Sequence, residues 1–217
     1  MPDDARRALL TRFFDHAPTF PPASLAPAEA LDEDRRARQS EHAWMLGRLV
    51  WPAAQLSELP QDEARALAAV DGNTERHDDA VYLEGVPLEE VSARGLRAKI
   101  RCGGKRVPSV EELAGFIRSC RGRGLVFKAT AGLHHAYRTD SGEHGFLNLL
   151  AAAVFGDEEE ALRERPPAFA LDAASFRWRD REAPPAKLAD VRSSLFHSIG
   201  TCSFFEPVEE LAELGIL

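Results

Sequence analysis

Of the 27 basic residues in this 217-residue chain only four are lysines: Lys99, Lys105, Lys128 and Lys187. Lys99 and Lys128 lie inside apolar, strand-like runs, Leu96 to Cys102 (LRAKIRC) and Leu125 to Thr130 (LVFKAT). Arginine offers a planar fork for anions, whereas a buried lysine can lose its proton and act as a base or nucleophile. The two-residue period of a strand pairs Lys99 with Arg101 on one face, and Lys128 with Thr130. Two successive strands ending in lysine would place two ammonium groups in one pocket. Repulsion and burial would then prepare one of them for Schiff-base or proton-abstracting chemistry. The plainer alternative, each lysine snorkelling to solvent from an outer strand face, would put a charge on a surface packed by helices.

A second concentration follows at once. His134, His135 and His144 fall close together, and Asn148 stands one helical turn after His144. Proton transfer by His135 or His144 is one use of this segment. Anion binding by His144 and Asn148 at a helix N-terminus is another. A third is a metal held by His134 or His135 with His144, completed by Glu84 or Asp15. The spacing matches neither H-E-x-x-H nor C-x-x-C, so no metal ligand is assigned. Near the end, Gly200-Thr201-Cys202-Ser203 offers the Thr201 and Ser203 hydroxyls ahead of a helix, as at the phosphate-binding end of many barrels. Cys202 reads as a nucleophile activated by that helix or as a small buried residue. Gly103-Gly104 reads as a backbone approach to an anion or as a turn. The aromatic residues have core spacing and point to no cofactor.

The elements that must carry these groups alternate. Strands are expected at Arg12–Ala17, Trp44–Trp51, Ala80–Glu84, Leu96–Cys102, Leu125–Thr130 and His197–Phe204, with Ala64–Val70 a strand or a helix and Asp71-Gly72-Asn73 a turn. Helices are expected at Pro27–His42, Ala53–Leu59, Pro87–Arg94, from Ser109 to about Cys120, at His144–Phe155 and Ala186–Phe196, and after Glu206-Pro207. Ser109 and Glu112 make a capping box, and Phe169–Arg179 reads as a hairpin. Strand followed by helix six or seven times predicts one α/β domain over residues 1–217 with parallel strands. A small or degenerate (β/α) barrel fits best, because the polar strand ends are spread along the chain and no G-x-G-x-x-G or P-loop follows the first strand. An open parallel sheet with helices on both faces is the alternative.

Composition sets outer limits. Formal charge is −8, with 35 acidic residues, and no basic run suggests nucleic-acid binding. No apolar stretch approaches the ~18 residues of a membrane span, and the N-terminus lacks a signal-peptide pattern. Three scattered cysteines argue against a disulfide framework, so a cytoplasmic setting is expected. Oligomeric state is not legible here.

The groups Phe14-Asp15-His16-Ala17 with Phe20-Pro21-Pro22, Lys99-x-Arg101-x-Gly103-Gly104, Lys128-x-Thr130-Ala131-Gly132-Leu133-His134-His135, His144-Gly145-Phe146-Leu147-Asn148 and Gly200-Thr201-Cys202-Ser203-x-x-Glu206-Pro207 are similar to motifs of an uncharacterised bacterial protein family. That resemblance implies a site and no particular reaction. Relative to it the chain is shortened between Leu59 and Ala80, where a full barrel would have another strand–helix unit. Lys128-Ala-Thr130-Ala-Gly132 more distantly resembles the Lys-Thr-Ser-Thr-Gly run of class I aldolases of the deoxyribose-phosphate type, keeping the Lys, one Thr and the Gly. The likeness implies a Schiff-base role for Lys128 and a tuning role for Lys99. The expected function is a lyase or isomerase acting on a small anionic carbonyl compound. Lys128, Lys99, His135 and His144 would be catalytic, and Arg101, Thr130, Asn148, Thr201 and Ser203 would hold the substrate. A metal-dependent hydrolase or lyase using His134, His135 and His144, and a non-catalytic ligand-binding protein, are the alternatives.

Overall fold

The computed structural model describes residues 3–60, 67–69 and 81–217. Its parallel strands are β1 (Phe14–His16), β2 (Leu46–Pro52), β3 (Leu67–Ala69), β4 (Tyr82–Glu84), β5 (Arg97–Arg101), β6 (Phe127–Thr130) and β10 (Phe196–Thr201). They form one seven-stranded sheet in the order β3-β2-β1-β10-β6-β5-β4, and every neighbouring pair is parallel. Apart from β3 and β4, consecutive parallel strands are therefore sheet neighbours, and the last strand returns to lie beside the first. This is the winding of a (β/α) barrel, not the reversal of strand order that marks a doubly wound sheet. Among the described residues β3 and β4 are the two edges, so the curled sheet is an open half-barrel.

Helices flank the sheet: α1 (Ala5–Leu10), α2 (Pro27–Gln39), α3 (Leu88–Ala93), α4 (Val110–Arg123), α5 (Phe146–Phe155), α6 (Glu158–Arg163), α7 (Pro185–Ser194) and α8 (Phe205–Glu213). Helix α4 starts at the Ser109–Glu112 capping box and stops at Gly124, whose φ of 63° suits glycine. Helix α5 is buried at every position, because it packs against α4, α6, α7 and β10 at once. Phe14, Phe127 and Phe196 project from the sheet toward this layer. Phe127 stacks on Phe196 at 4.7 Å, and Phe14 meets Phe146 edge-on at 5.4 Å. The alternate residues of the same strands face the inside of the curl, which is how Asp15, Lys99, Lys128, Thr130 and Ser198 come to share one surface.

Several details differ from the sequence reading. Helix α1 was not anticipated; Asp4 caps it by accepting from the Arg6 and Arg7 N–H groups, and it packs on α7. Residues Ala43–Met45 form a 3₁₀ turn, so β2 begins at Leu46. His144 lies outside α5, which begins at Phe146. The boundary between α7 and β10 falls at Leu195, one or two residues earlier than periodicity suggests. The ambiguous Ala64–Val70 segment holds strand β3, while the turn expected at Asp71-Gly72-Asn73 lies outside the described residues. The hairpin at Phe169–Arg179 is the start of a three-stranded antiparallel meander, β7 (Phe169–Leu171), β8 (Phe176–Trp178) and β9 (Arg181–Ala183). Among the described residues no helix is long and apolar enough to cross a membrane.

Candidate functional site

The C-terminal ends of β1, β5, β6 and β10, and the loops after them, enclose a cavity of about 770 Å³. Catalytic groups of parallel barrels come from this rim, since the strand ends converge there while the loops remain free to vary. Lys99, Arg101, Lys128 and Thr130 all line the cavity, joined by Lys105 and, on the apolar wall, by Phe20 and Leu133. Lys99 and Lys128 are direct cross-strand partners in register. The two lysines of the sequence argument thus share one hollow.

They do not face each other as bare charges. Lys128 is buried and its Nζ contacts Asp15 Oδ2. Asp15 is in turn held by the Ser198 hydroxyl, which donates to Oδ2 at 2.8 Å, and by the Arg48 N–H, which donates to Oδ1 at 2.8 Å. Gly47 leaves the room for this, since a Cβ there would collide with Asp15 Oδ1. Lys99 has its own carboxylate, Glu84, at 3.0 Å, which Arg101 also donates to at 2.9 Å. Each ammonium therefore has an anion beside it, a correction to the picture of mutual repulsion between two unscreened lysines. The Lys128 Nζ also lies 5.5 Å above the Tyr82 ring, and burial raises the Tyr82 phenol's pKa. Tyr82 lines both this cavity and a smaller one of about 270 Å³, where Asp15 meets Arg48, Arg97, Arg192 and His197. The Asp15–Lys128 pair is the partition between them.

Thr130 Oγ1 is buried, lines the main cavity and has no hydrogen-bond partner among the described residues. A buried hydroxyl left so costs about 1–3 kcal/mol unless something donates to it or accepts from it. Beyond the strand ends the β5 and β6 loops touch backbone to backbone. A Cβ on Gly103 would lie 2.5 Å from Gly132 Cα, and Gly132 has a φ of 63°. Gly103 is thus required by the protein's own packing, while Gly104, with a φ of 85°, makes the turn. Ala131, next to Gly132, also has a positive φ, 61°, so the loop after β6 carries backbone strain.

The remaining sequence candidates are placed elsewhere. His144 is buried outside the cavity lining; its Nε2 donates to the Pro108 carbonyl at 2.8 Å and its Nδ1 accepts from Arg138 at 3.2 Å. Burial, with Arg138 nearby, lowers its pKa despite the bond to Pro108. Asn148 Oδ1 accepts from the Arg138 N–H, and its Nδ2 donates to the Ala161 and Glu164 carbonyls, so it is a strut between α5 and α6. His135 does not line the cavity and its Nδ1 lies 3.5 Å from Glu210. Thr201 lines the cavity, but its hydroxyl donates to the Ser203 carbonyl at 2.7 Å. Ser203 is half-buried outside the lining, and its Oγ accepts from the Glu206 N–H at 3.4 Å.

The three imidazoles of the metal alternative therefore do not converge. The donor atoms that do come together belong to His134, Cys202 and Glu206, within 4.8 Å of one another. His134 and Cys202 line the cavity. A hydrogen bond with Cys202 raises the His134 pKa, burial opposes it, and Glu206 reinforces it. Burial pushes the thiol of Cys102, also on the cavity wall, up to about 12. Sequence reasoning gave Asp15 only an optional metal-ligand role and left Glu206 as a first-turn helix residue. Their positions at a strand end and a helix start were the available signals. Comparison of the chain with protein-family models, with curated proteins and with solved structures finds no match.

Proposed function

We propose that this chain is an enzyme of lyase or isomerase type, acting in the cytoplasm on a small anionic, carbonyl-bearing compound rather than on nucleic acid. The observation that carries the reading is the meeting of Lys99, Lys128 and the Thr130 hydroxyl, which has no partner among the described residues, on the wall of one cavity at the strand C-terminal rim. Arg101 and Lys105, both exposed at the mouth, hold the substrate's anionic group, with the Arg101 fork suited to bidentate contact. Thr130 hydrogen-bonds a substrate oxygen. Lys128 is the nucleophile. The Lys128 ammonium gives one proton to Asp15, the freed amine attacks the carbonyl carbon, and a second N–H proton together with the one returned by Asp15 leaves with the carbonyl oxygen as water. The resulting iminium accepts the electron pair of an adjacent C–C or C–H bond as that bond breaks. Asp15 is placed to move the proton, since it touches Lys128 Nζ. Lys99, paired across the strands, adds positive potential where negative charge develops.

Borohydride reduction in the presence of short 2-oxo acids and sugar phosphates tests this. The expected result is a mass adduct mapping to Lys128 with at least one of them, lost in Lys128→Arg. Adducts confined to Lys105 and Lys187, or full turnover of a substrate by Lys128→Ala, would rule the mechanism out.

A further inference from the structure

The cluster of His134, Cys202 and Glu206 is not used by the lysine chemistry, and its geometry is informative. His134 follows β6, Cys202 comes directly after β10, and Glu206 is the second residue of α8, so three separate segments deliver one donor each. A thiol–imidazole–carboxylate relay would engage the two ring nitrogens on opposite sides, holding sulfur and carboxylate far apart. Here the three ligating atoms are mutually within 4.8 Å, and His134 Nδ1 is 3.4 Å from Glu206 Oε2. They form a triangle. A triangle of donors closes on a point, and such a point is suited to a cation. Ligands about 2.0–2.3 Å from a tetrahedral zinc lie roughly 3.5 Å from one another. The His134–Glu206 edge already has that length, and the two edges to Cys202, each within 4.8 Å, close by small rotations of the His134 and Glu206 side chains.

We propose that His134, Cys202 and Glu206 form a Zn²⁺ site whose fourth coordination position opens into the cavity. The donor set selects the metal. A thiolate and an imidazole favour zinc over Mg²⁺ or Ca²⁺, which take oxygen ligands. Three protein ligands leave a position for water or substrate, the pattern of catalytic rather than structural zinc. Two of the three residues line the cavity, so a bound substrate oxygen has access to that position. The short arm to Glu206 is the weakest link, because its carboxylate is the most exposed of the three.

Binding is measured on the reduced, chelator-stripped full chain with Zn²⁺ alone, in competition with a chromophoric chelator, and with Co²⁺ as a spectroscopic substitute. The expected result is one equivalent bound, with a thiolate-to-cobalt charge-transfer band in the near ultraviolet. Cys202→Ser should abolish that band and weaken zinc by more than the roughly 10–100-fold that loss of a supporting partner costs at metal sites. Glu206→Gln, on an exposed side chain, provides the same test if Cys202→Ser fails to fold, and His135→Ala should leave zinc affinity unchanged. No stoichiometric binding, or binding that survives both Cys202→Ser and Glu206→Gln, overturns the site. Neither measurement involves a carbonyl substrate or Lys128, so failure here leaves the Schiff-base reading standing, and the reverse holds too.

Discussion

Replacing Asp15 by Asn probes the partition at the heart of the half-barrel. Asp15 and Lys128 are both buried, with residue exposures of 4% and 2%. Asn would keep the shape and, with its oxygen toward the Arg48 N–H, would present its NH2 to the Ser198 hydroxyl, which can turn to accept. It would strand the Lys128 ammonium beside the Tyr82 ring with no anion in contact. Removing one member of a buried ion pair costs about 3–5 kcal/mol. For a chain of this size, where 1 kcal/mol moves Tm by roughly 2–4 °C, that is a fall on the order of 10 °C. Lys128→Met should cost less, about 1–3 kcal/mol, because Asp15 keeps two donors. The double variant is decisive. If the charges stabilise each other, Asp15→Asn with Lys128→Met should be more stable than the sum of the singles by at least 1 kcal/mol, inside the range seen for contacting residues. Urea unfolding of the four proteins at pH 7 completes the cycle. Additivity within about 0.5 kcal/mol would mean that the two side chains do not interact, and the partition would have to be abandoned.

Gly103→Ala places a methyl 2.5 Å from Gly132 Cα, backbone against backbone with nothing flexible to yield; a loss of about 1–3 kcal/mol is expected in chemical unfolding, and wild-type stability would show that the two loops are not in contact. His144 is held neutral, its pKa lowered chiefly by burial from an ordinary 6.5. The unfolded chain therefore binds the extra proton first, so stability is intact above pH 6.5 and declines as pH falls below it. His144→Gln should flatten the dependence of Tm on pH between about 5 and 7 relative to wild type, and an unchanged slope would refute the assignment. Burial pushes the Cys102 and Cys120 thiols up to about 12. In metal-free native protein at pH 8 a thiol reagent should therefore label at most Cys202, and all three free cysteines after denaturation; fast labelling of Cys102 in the native state would contradict its burial.

What was legible in the chain is what local rules control. Alternation along β5 and β6 put Lys99 with Arg101 and Lys128 with Thr130 on one face, and that surface lines the cavity. Ser109 and Glu112 announced α4. Repeated strand–helix units without a phosphate-binding loop pointed to barrel winding, and the sheet order has it. Other readings failed because distant elements decide them. His144 and Asn148 have the spacing of an anion site, yet Pro108, Arg138, Ala161 and Glu164 occupy their polar atoms. No local pattern reports that Asp15 reaches Lys128 across 113 positions, or that His134 and Glu206 flank Cys202. Periodicity determines which side of its own strand a residue occupies. Which residues then meet depends on how β10 returns between β1 and β6, setting Ser198 beside Lys128 and Gly200 beside Asp15, and pairing between segments so far apart in the chain was decided by the tertiary structure alone.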